Sequence, residues 1–351
     1  MFSSTSLLTV VTLVLGFASG TVIVVDRSPI LSLPLKRINN FTSGHDILAH
    51  DLARINKFNN RAKAHGSDKP AKRQAEPVIN EVVSYIASVG VGANDKQSTD
   101  TGELVEVSYG SGDFVGLEFI DRVTLTPSLV IQQQSIGIAI ESDGFEGVDG
   151  ILGIGPVALT EGTVDGSVTV PTVTDNLFAL GSITENLVSI SFEPTTTEEI
   201  TNGELFFGGT DSSKFTGNIT FVPKVGDFWG ISQSVSYGGT TIIDNLSGIV
   251  DTGTTLLLMT TASFDAYIAA TGGVLNENVG LFSITAAQFA ALKPLEFNIG
   301  GTTFSLTANA QIFPRSLNVD IGGTANDIFL IAGDLGPPGT TPFDFVNGYV
   351  N

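Results

Sequence analysis

The chain contains no cysteine. That single absence excludes disulfides, thiolate metal sites and cysteine nucleophiles. Histidine is nearly as scarce: His45, His50 and His65 are the three, and none follows Gln74. From Gln74 onward, therefore, no Ser-His-Asp triad, Cys-His pair or histidine-ligated zinc can be built. Charged residues make up 15%, against about 25% in an average soluble domain. Basic charge is the scarcer sign, with 16 Lys+Arg facing 36 Asp+Glu for a net −20. A nucleic-acid partner needs a basic footprint and is excluded. Trp229 is the one tryptophan, which leaves few sugar-stacking platforms for a two-carboxylate glycosidase. No metal or organic cofactor is implied. Acid–base chemistry in such a chain falls to carboxylates, with Lys or Tyr as lesser options.

The charge that is present is divided by sign. Residues 1–20 carry none, and Leu7–Ala18 is apolar and followed by Ser19-Gly20. This reads as a secretory signal peptide, with a membrane anchor continuing through Val25 as the lesser alternative. Residues 21–73 have a net charge of +6 and residues 74–351 a net of −26. A basic segment ending in the dibasic pair Lys72-Arg73, ahead of an acidic body, reads as a pro-peptide cut at that pair. The apolar runs Val22–Val25 and Ile30–Leu35 suit a segment that pairs with something. The expected divisions are 1–20 signal, 21–73 pro-peptide, 74–190 N-terminal lobe and 191–351 C-terminal lobe.

The body reads as all-β. Val105–Tyr109, Phe114–Ile120, Arg122–Leu125, Gly203–Phe207, Asn218–Val222, Phe282–Ile284, Leu295–Ile299 and Thr303–Leu306 alternate or run apolar between Gly-rich turns. Short helices are expected at Asp175–Leu180, Ser263–Ala270 and Thr285–Leu292. Ser263 and Thr285 are candidate N-caps, Gly272 a terminator and Gly300-Gly301 a hairpin turn.

Three motifs carry chemistry. In Ile249-Val250-Asp251-Thr252-Gly253-Thr254-Thr255-Leu256-Leu257 an apolar strand delivers an Asp into a tight turn. Backbone N–H groups and a Thr hydroxyl can there fix the ionised carboxylate. Val107–Phe114 reads as a hairpin with the Gly-rich tip Tyr109-Gly110-Ser111-Gly112. Val148–Pro156 and Phe329–Asp334 are two apolar, small-residue segments, each read as a buried strand. With Pro171–Phe178, Asn202–Leu205 and Leu306–Ile312, these stretches resemble the pepsin-like aspartic endopeptidases, in particular the fungal polyporopepsin-like group, over nearly all of 74–351.

The resemblance implies a bilobal pepsin-like fold and acid endopeptidase action through two carboxylates sharing a proton. Asp251 would be one of them, in an active-site loop with Thr252, Gly253 and Thr254. Tyr109, Gly110, Ser111 and Asp113 would form the flap over bound peptide. Protein or peptide would be the substrate, the pro-peptide an intramolecular inhibitor, and the product a secreted monomer. The sequence departs from the family in two places. Asp100-Thr101-Gly102 lacks a preceding apolar strand and lies too close to Tyr109 to be the first catalytic loop. The resemblance places that loop after Gly92, where a missing block is expected, and implies terminal strands beyond Asn351 that are expected to be missing too. Impaired activity is expected, with a non-catalytic peptide-binding β-protein as the alternative reading. Pairing of two chains through Asp251 is a further one. Asn218-Ile219-Thr220 and Asn245-Leu246-Ser247 match the glycosylation pattern.

Overall fold

The computed structural model describes residues 31–39, 43–64, 83–92, 98–110, 112–145, 148–194 and 200–349. The signal run, Lys72-Arg73, Ser111 and the 93–97 junction lie outside the described residues.

The strands are β1 (Leu31–Asn39), β2 (Val83–Ile86), β3 (Gly90–Val91), β4 (Thr99–Ser108), β5 (Asp113–Thr126), β6 (Leu129–Asp143), β7 (Val188–Phe192), β8 (Ile200–Phe207), β9 (Gly230–Tyr237), β10 (Thr240–Val250), β11 (Leu257–Thr260), β12 (Val274–Leu275), β13 (Phe282–Ser283), β14 (Leu295–Ile299), β15 (Thr302–Leu306), β16 (Ala332–Gly336) and β17 (Phe345–Asn347). The α-helices are α1 (Gly44–Ala64), α2 (Val173–Ala179), α3 (Thr261–Thr271) and α4 (Ala286–Ala291).

Strands dominate, and they fall into two lobes with a shared centre. The seven-stranded sheet β15-β14-β9-β10-β17-β11-β16 builds the C-terminal lobe. The N-terminal lobe is a sheet around the long β5, which pairs with β3, β4 and β6. A third sheet runs β2-β1-β8-β7. Strand β1, from the basic segment, is interior to it, flanked by β2 on one edge and β8 on the other. This is the pairing that the Ile30–Leu35 run suited. Leu33 and Leu35 are buried there with Leu129, Ile131, Leu177 and Leu205. The expected 190/191 lobe boundary falls inside β7.

Turn chemistry fixes two hairpins of the seven-stranded sheet. Gly238-Gly239 joins β9 to β10, and Gly300-Gly301 joins β14 to β15. All four glycines have positive φ, as a two-residue turn matching strand twist requires. The helix readings hold with shifted ends. Thr285 caps α4 through a reciprocal capping box with Gln288, and Thr172 does the same for α2 with Asp175. The α2 helix therefore starts two residues before the expected Asp175. Gly272, in the left-handed conformation, ends α3. Ser263 is not its N-cap: the helix already begins at Thr261, and the Ser263 hydroxyl donates to the Ile242 carbonyl.

Three strand readings are corrected. Phe114–Ile120 and Arg122–Leu125 are one strand, β5, because a register shift near Asp121 absorbs the break. Asn218–Val222 forms no strand; it is mostly exposed, and Phe221 points into solvent. Val148–Pro156 is not a buried strand: Asp149, Gly150 and Ile151 are exposed. Its C-lobe counterpart is buried, with Phe329 and Leu330 inaccessible and Ala332 entering β16 beside β11. The physical difference is the partner. In the C-terminal lobe β11, which follows the Asp251 turn, supplies a strand to pack on. Among the described residues the N-terminal lobe has no equivalent, and Val148–Pro156 is tied across to the other lobe by Trp229, whose indole N–H donates to the Ile154 carbonyl at 3.0 Å.

Helix α1 is absent from the expected elements, although its signal is legible. Ser43 caps it, its hydroxyl oxygen accepting from the Asp46 N–H. Ile47, Asp51, Ile55 and Phe58 then recur at helical spacing, and all four are buried. Three of them enter the C-lobe core with Leu256, Leu258, Phe313 and Phe329.

Candidate active site

Asp251 sits where three strands converge. β10 runs parallel to β17 through Ile249↔Val346 and Val250↔Asn347, and ends at the Asp. The chain turns through Thr252-Gly253 and re-enters the sheet as β11, between β17 and β16. The Asp251 N–H donates to the Asn347 carbonyl at 3.0 Å, and the Tyr349 N–H donates to the Thr254 carbonyl. The turn is thus clamped from both sides by the β17 segment. Gly248, three residues earlier on β10, packs so closely on Phe345 that a Cβ there would overlap its carbonyl and ring. Gly248→Ala should therefore lower stability by about 1–3 kcal/mol, read as the midpoint of denaturant unfolding.

The carboxylate is held from two directions. From its own loop, Gly253 N–H donates to Oδ1 at 3.1 Å and the Thr254 hydroxyl to Oδ2 at 2.7 Å. From α1, Arg54 Nε donates to Oδ2 at 2.6 Å and a terminal nitrogen to Oδ1 at 2.9 Å. This is the bidentate geometry that suits a guanidinium and a carboxylate. Both side chains are largely buried, 16% and 11% exposed. Burial alone would push the Asp251 carboxyl up. The Arg54 charge and hydrogen bonds, with Thr254 and Gly253, outweigh it and hold the carboxyl below the usual range. Among the described residues, the groups hydrogen-bonded to the Asp251 carboxylate are Arg54, Gly253 and Thr254, and none is a carboxylate.

The hairpin expected at Val107–Phe114 joins β4 to β5 and is closed by the Tyr109 N–H donating to the Gly112 carbonyl at 2.8 Å. Tyr109 is half-buried and packs against Phe114 and Phe145. The hairpin faces α1. Lys57 Nζ lies 3.1 Å from Asp113 Oδ2. Arg54 passes between Gly110 of the β4–β5 hairpin and Gly253 of the Asp251 turn, and a Cβ on either glycine would collide with it. Asp251, Gly110 and Asp113 are therefore gathered around one helix. Asp100 is elsewhere: it is exposed on β4, where its side chain accepts from the Gly102 N–H in its own turn. Asn218 and Asn245 are both exposed, and Asn245 lies at a bulge in β10 with positive φ.

The residues that sequence reading missed are those of α1. Arg54 and Lys57 are visible in the sequence only as part of a basic count. Asp51 carries no motif, yet it is fully buried and its two oxygens accept from the Thr255 and Leu256 N–H groups at 2.9 and 2.8 Å. Among the described residues no group of three or more His, Asp or Glu is placed to hold a metal ion. No helix among them is long and apolar enough to cross a membrane.

Comparison with known proteins shows the family. Residues 85–322 match the family described as eukaryotic aspartyl protease. Polyporopepsin of Irpex lacteus is 49% identical over 305 residues, covering 78% of this chain and 89% of that protein. Rhizopuspepsin-1 of Rhizopus niveus is 36% identical over 241 residues, covering 67% of this chain and 58% of its own length. The crystal structure of the aspartic proteinase from Irpex lacteus superposes with a TM-score of 0.72 at 42% identity, covering 91% of this chain and 90% of that one. With its Asp-Thr-Gly-Thr turn clamped in the C-terminal sheet and a hairpin facing it, the chain belongs to the eukaryotic aspartyl protease family, the pepsin-like aspartic endopeptidases.

Proposed function

We propose that Asp251 is the C-lobe member of the carboxylate pair of an acid endopeptidase, and that residues 31–64 are its built-in inhibitor. One observation carries the reading: the Asp251 carboxylate is oriented by Gly253 and Thr254 at the end of β10, and neutralised by Arg54. In the chemistry of such pairs, an ionised Asp takes a proton from the attacking water while its protonated partner polarises the peptide carbonyl. Arg54 occupies the side of Asp251 from which water and substrate would approach. Tyr109, Gly110, Ser111 and Asp113 belong to the flap that closes on substrate, and Lys57 engages Asp113 in the inhibited form. Cleavage after Lys72-Arg73, secretion behind the Leu7–Ala18 leader, a monomeric state and glycosylation at Asn218 and Asn245 belong to the same reading.

Hydrolysis needs α1 withdrawn and a second carboxylate beside Asp251. Groups that act as a unit lose most of their rate when one is missing. The chain as it stands is therefore expected to cleave casein at about pH 4 no faster than its Asp251→Asn variant. Pepstatin-sensitive cleavage that disappears in Asp251→Asn would show a complete dyad and keep Asp251 in its role. Cleavage that survives Asp251→Asn would remove Asp251 from the site.

A further inference from the structure

The outer face of the seven-stranded sheet carries a recess that shares no residue with the Asp251 site. Its polar lining is Ser234, Ser236, Thr241, Glu296, Asn298 and Thr303, with Val235 between the two serines, and its volume is about 210 Å³.

Strand register explains the lining. Asn298 lies opposite both Ser234 and Thr303, and Ser236 lies opposite both Glu296 and Thr241. Cross-strand partners share a face of the sheet, so β10, β9, β14 and β15 bring these side chains to one surface. Val235 and Tyr237 alternate to the other face and enter the core.

The chemistry of the lining limits what it can take. Apart from Glu296, its polar side chains are neutral hydroxyls and an amide, each able to donate and to accept. Glu296 disfavours an anion. An apolar ligand would leave these groups unpaired. A neutral ligand rich in hydroxyl groups matches them. The volume is smaller than the ~300–1,000 Å³ of pockets for drug-sized ligands, which suits a single sugar ring.

Asn245 stands at the rim. Its backbone N–H donates to the Ser234 hydroxyl oxygen at 2.9 Å. The β9–β10 register shifts between Ile243 and Leu246, and Asn245 takes a φ of 48° within that bulge. A bulge re-aims a side chain out of the ladder, and Asn is among the few residues that visit this left-handed conformation routinely. Asn245 is exposed and opens the acceptor triplet Asn245-Leu246-Ser247.

We propose that the recess seats the first sugar ring of a glycan carried on Asn245, so that this glycan packs against the sheet instead of projecting into solvent. The proposal rests on the reading of Asn245 as glycosylated and adds where its sugar lies. Asn298, Thr303 and the two serines pair with the hydroxyl and acetamide groups of the ring, and Glu296 accepts from a sugar hydroxyl.

The test uses the full chain produced through the secretory route of a yeast. Peptide mass measurement first establishes whether Asn245 carries a glycan. The folded chain is then treated with a peptide N-glycosidase, which converts the carrying Asn to Asp, and conversion at position 245 is followed by mass over time. Removal from the folded chain is expected to be about tenfold slower, or more, than from the heat-denatured chain, because the enzyme must await local opening. In the Asn298→Ala/Thr303→Ala chain the rate from the folded protein should rise close to that of the denatured chain. Both residues are exposed, so the core and the acceptor triplet are untouched. Equal rates from the folded and denatured parent chain, or a slow rate unchanged in the double variant, overturn the seating and leave glycosylation at Asn245 standing. An unmodified Asn245 overturns both.

Discussion

Arg54→Met should reverse the pH dependence of stability. In the parent chain the Asp251 carboxyl is held below its usual range. Its contribution is present above the unfolded-state value near about 3.9 and is lost as pH falls through the depressed folded value. Without the guanidinium, burial, the largest single influence on the carboxyl, is opposed only by Thr254 and Gly253. The carboxyl is then expected to titrate higher than in the parent chain. At neutral pH the variant carries an unpaired buried charge, costing about 3–5 kcal/mol. On acidification through the raised value that charge is neutralised, and the variant recovers while the parent does not gain. Thermal unfolding of both chains at about pH 7 and about pH 3 measures this. The gap in melting temperature should be on the order of 10 °C at neutral pH and should narrow sharply in acid. A gap of constant size would mean that Arg54 contributes packing rather than charge. Methionine keeps the apolar stem that crosses between Gly110 and Gly253, so the comparison isolates the guanidinium.

Phe58→Ala should cost about 3–5 kcal/mol. Phe58 is one of three rings that pack together on α1: its centroid lies 4.9 Å from Phe228 and 6.3 Å from Phe343, and those two rings are 5.2 Å apart. Edge-on contacts of this kind add to plain area burial. The same ring lies beneath the Arg54 guanidinium at 5.2 Å, so its loss also loosens the group that covers Asp251. The expected local result is faster hydrogen exchange at the Thr255 and Leu256 amides, which are protected by Asp51 on the same helix. Those amides exchanging as in the parent chain, with stability lowered, would show that the helix holds on through Asp51 and Ile55 without the ring. Phe58→Leu fills part of the space and should fall between the two.

Much of the site is legible in the amino-acid sequence. The Asp-Thr-Gly-Thr turn between apolar strands locates Asp251, because a carboxylate needs donors from a tight turn and a strand to hold that turn. The Gly-rich hairpin at Tyr109 is legible for the same local reason, since glycine at a hairpin tip is a statement about backbone geometry. The capping pairs Thr172/Asp175 and Thr285/Gln288 are local as well. Elimination also needs only the sequence: a body without Cys or His leaves carboxylates for acid–base work.

The errors share a cause of another kind. Asn218–Val222 alternates like a strand but finds no neighbouring strand to bond, so it stays irregular. Val148–Pro156 repeats the composition of Phe329–Asp334, yet only the second has β11 to lie against, and burial depends on that partner. Composition registers Arg54 as one basic residue among ten in its segment. Whether such a residue is a solvated charge or the counter-ion of Asp251 is set by a contact across 197 positions of chain. The sequence by itself determined which carboxylate is presented and by what turn. Only the tertiary structure decided what that carboxylate faces, because the pairing of α1 with the Asp251 loop is long-range packing that no local pattern encodes.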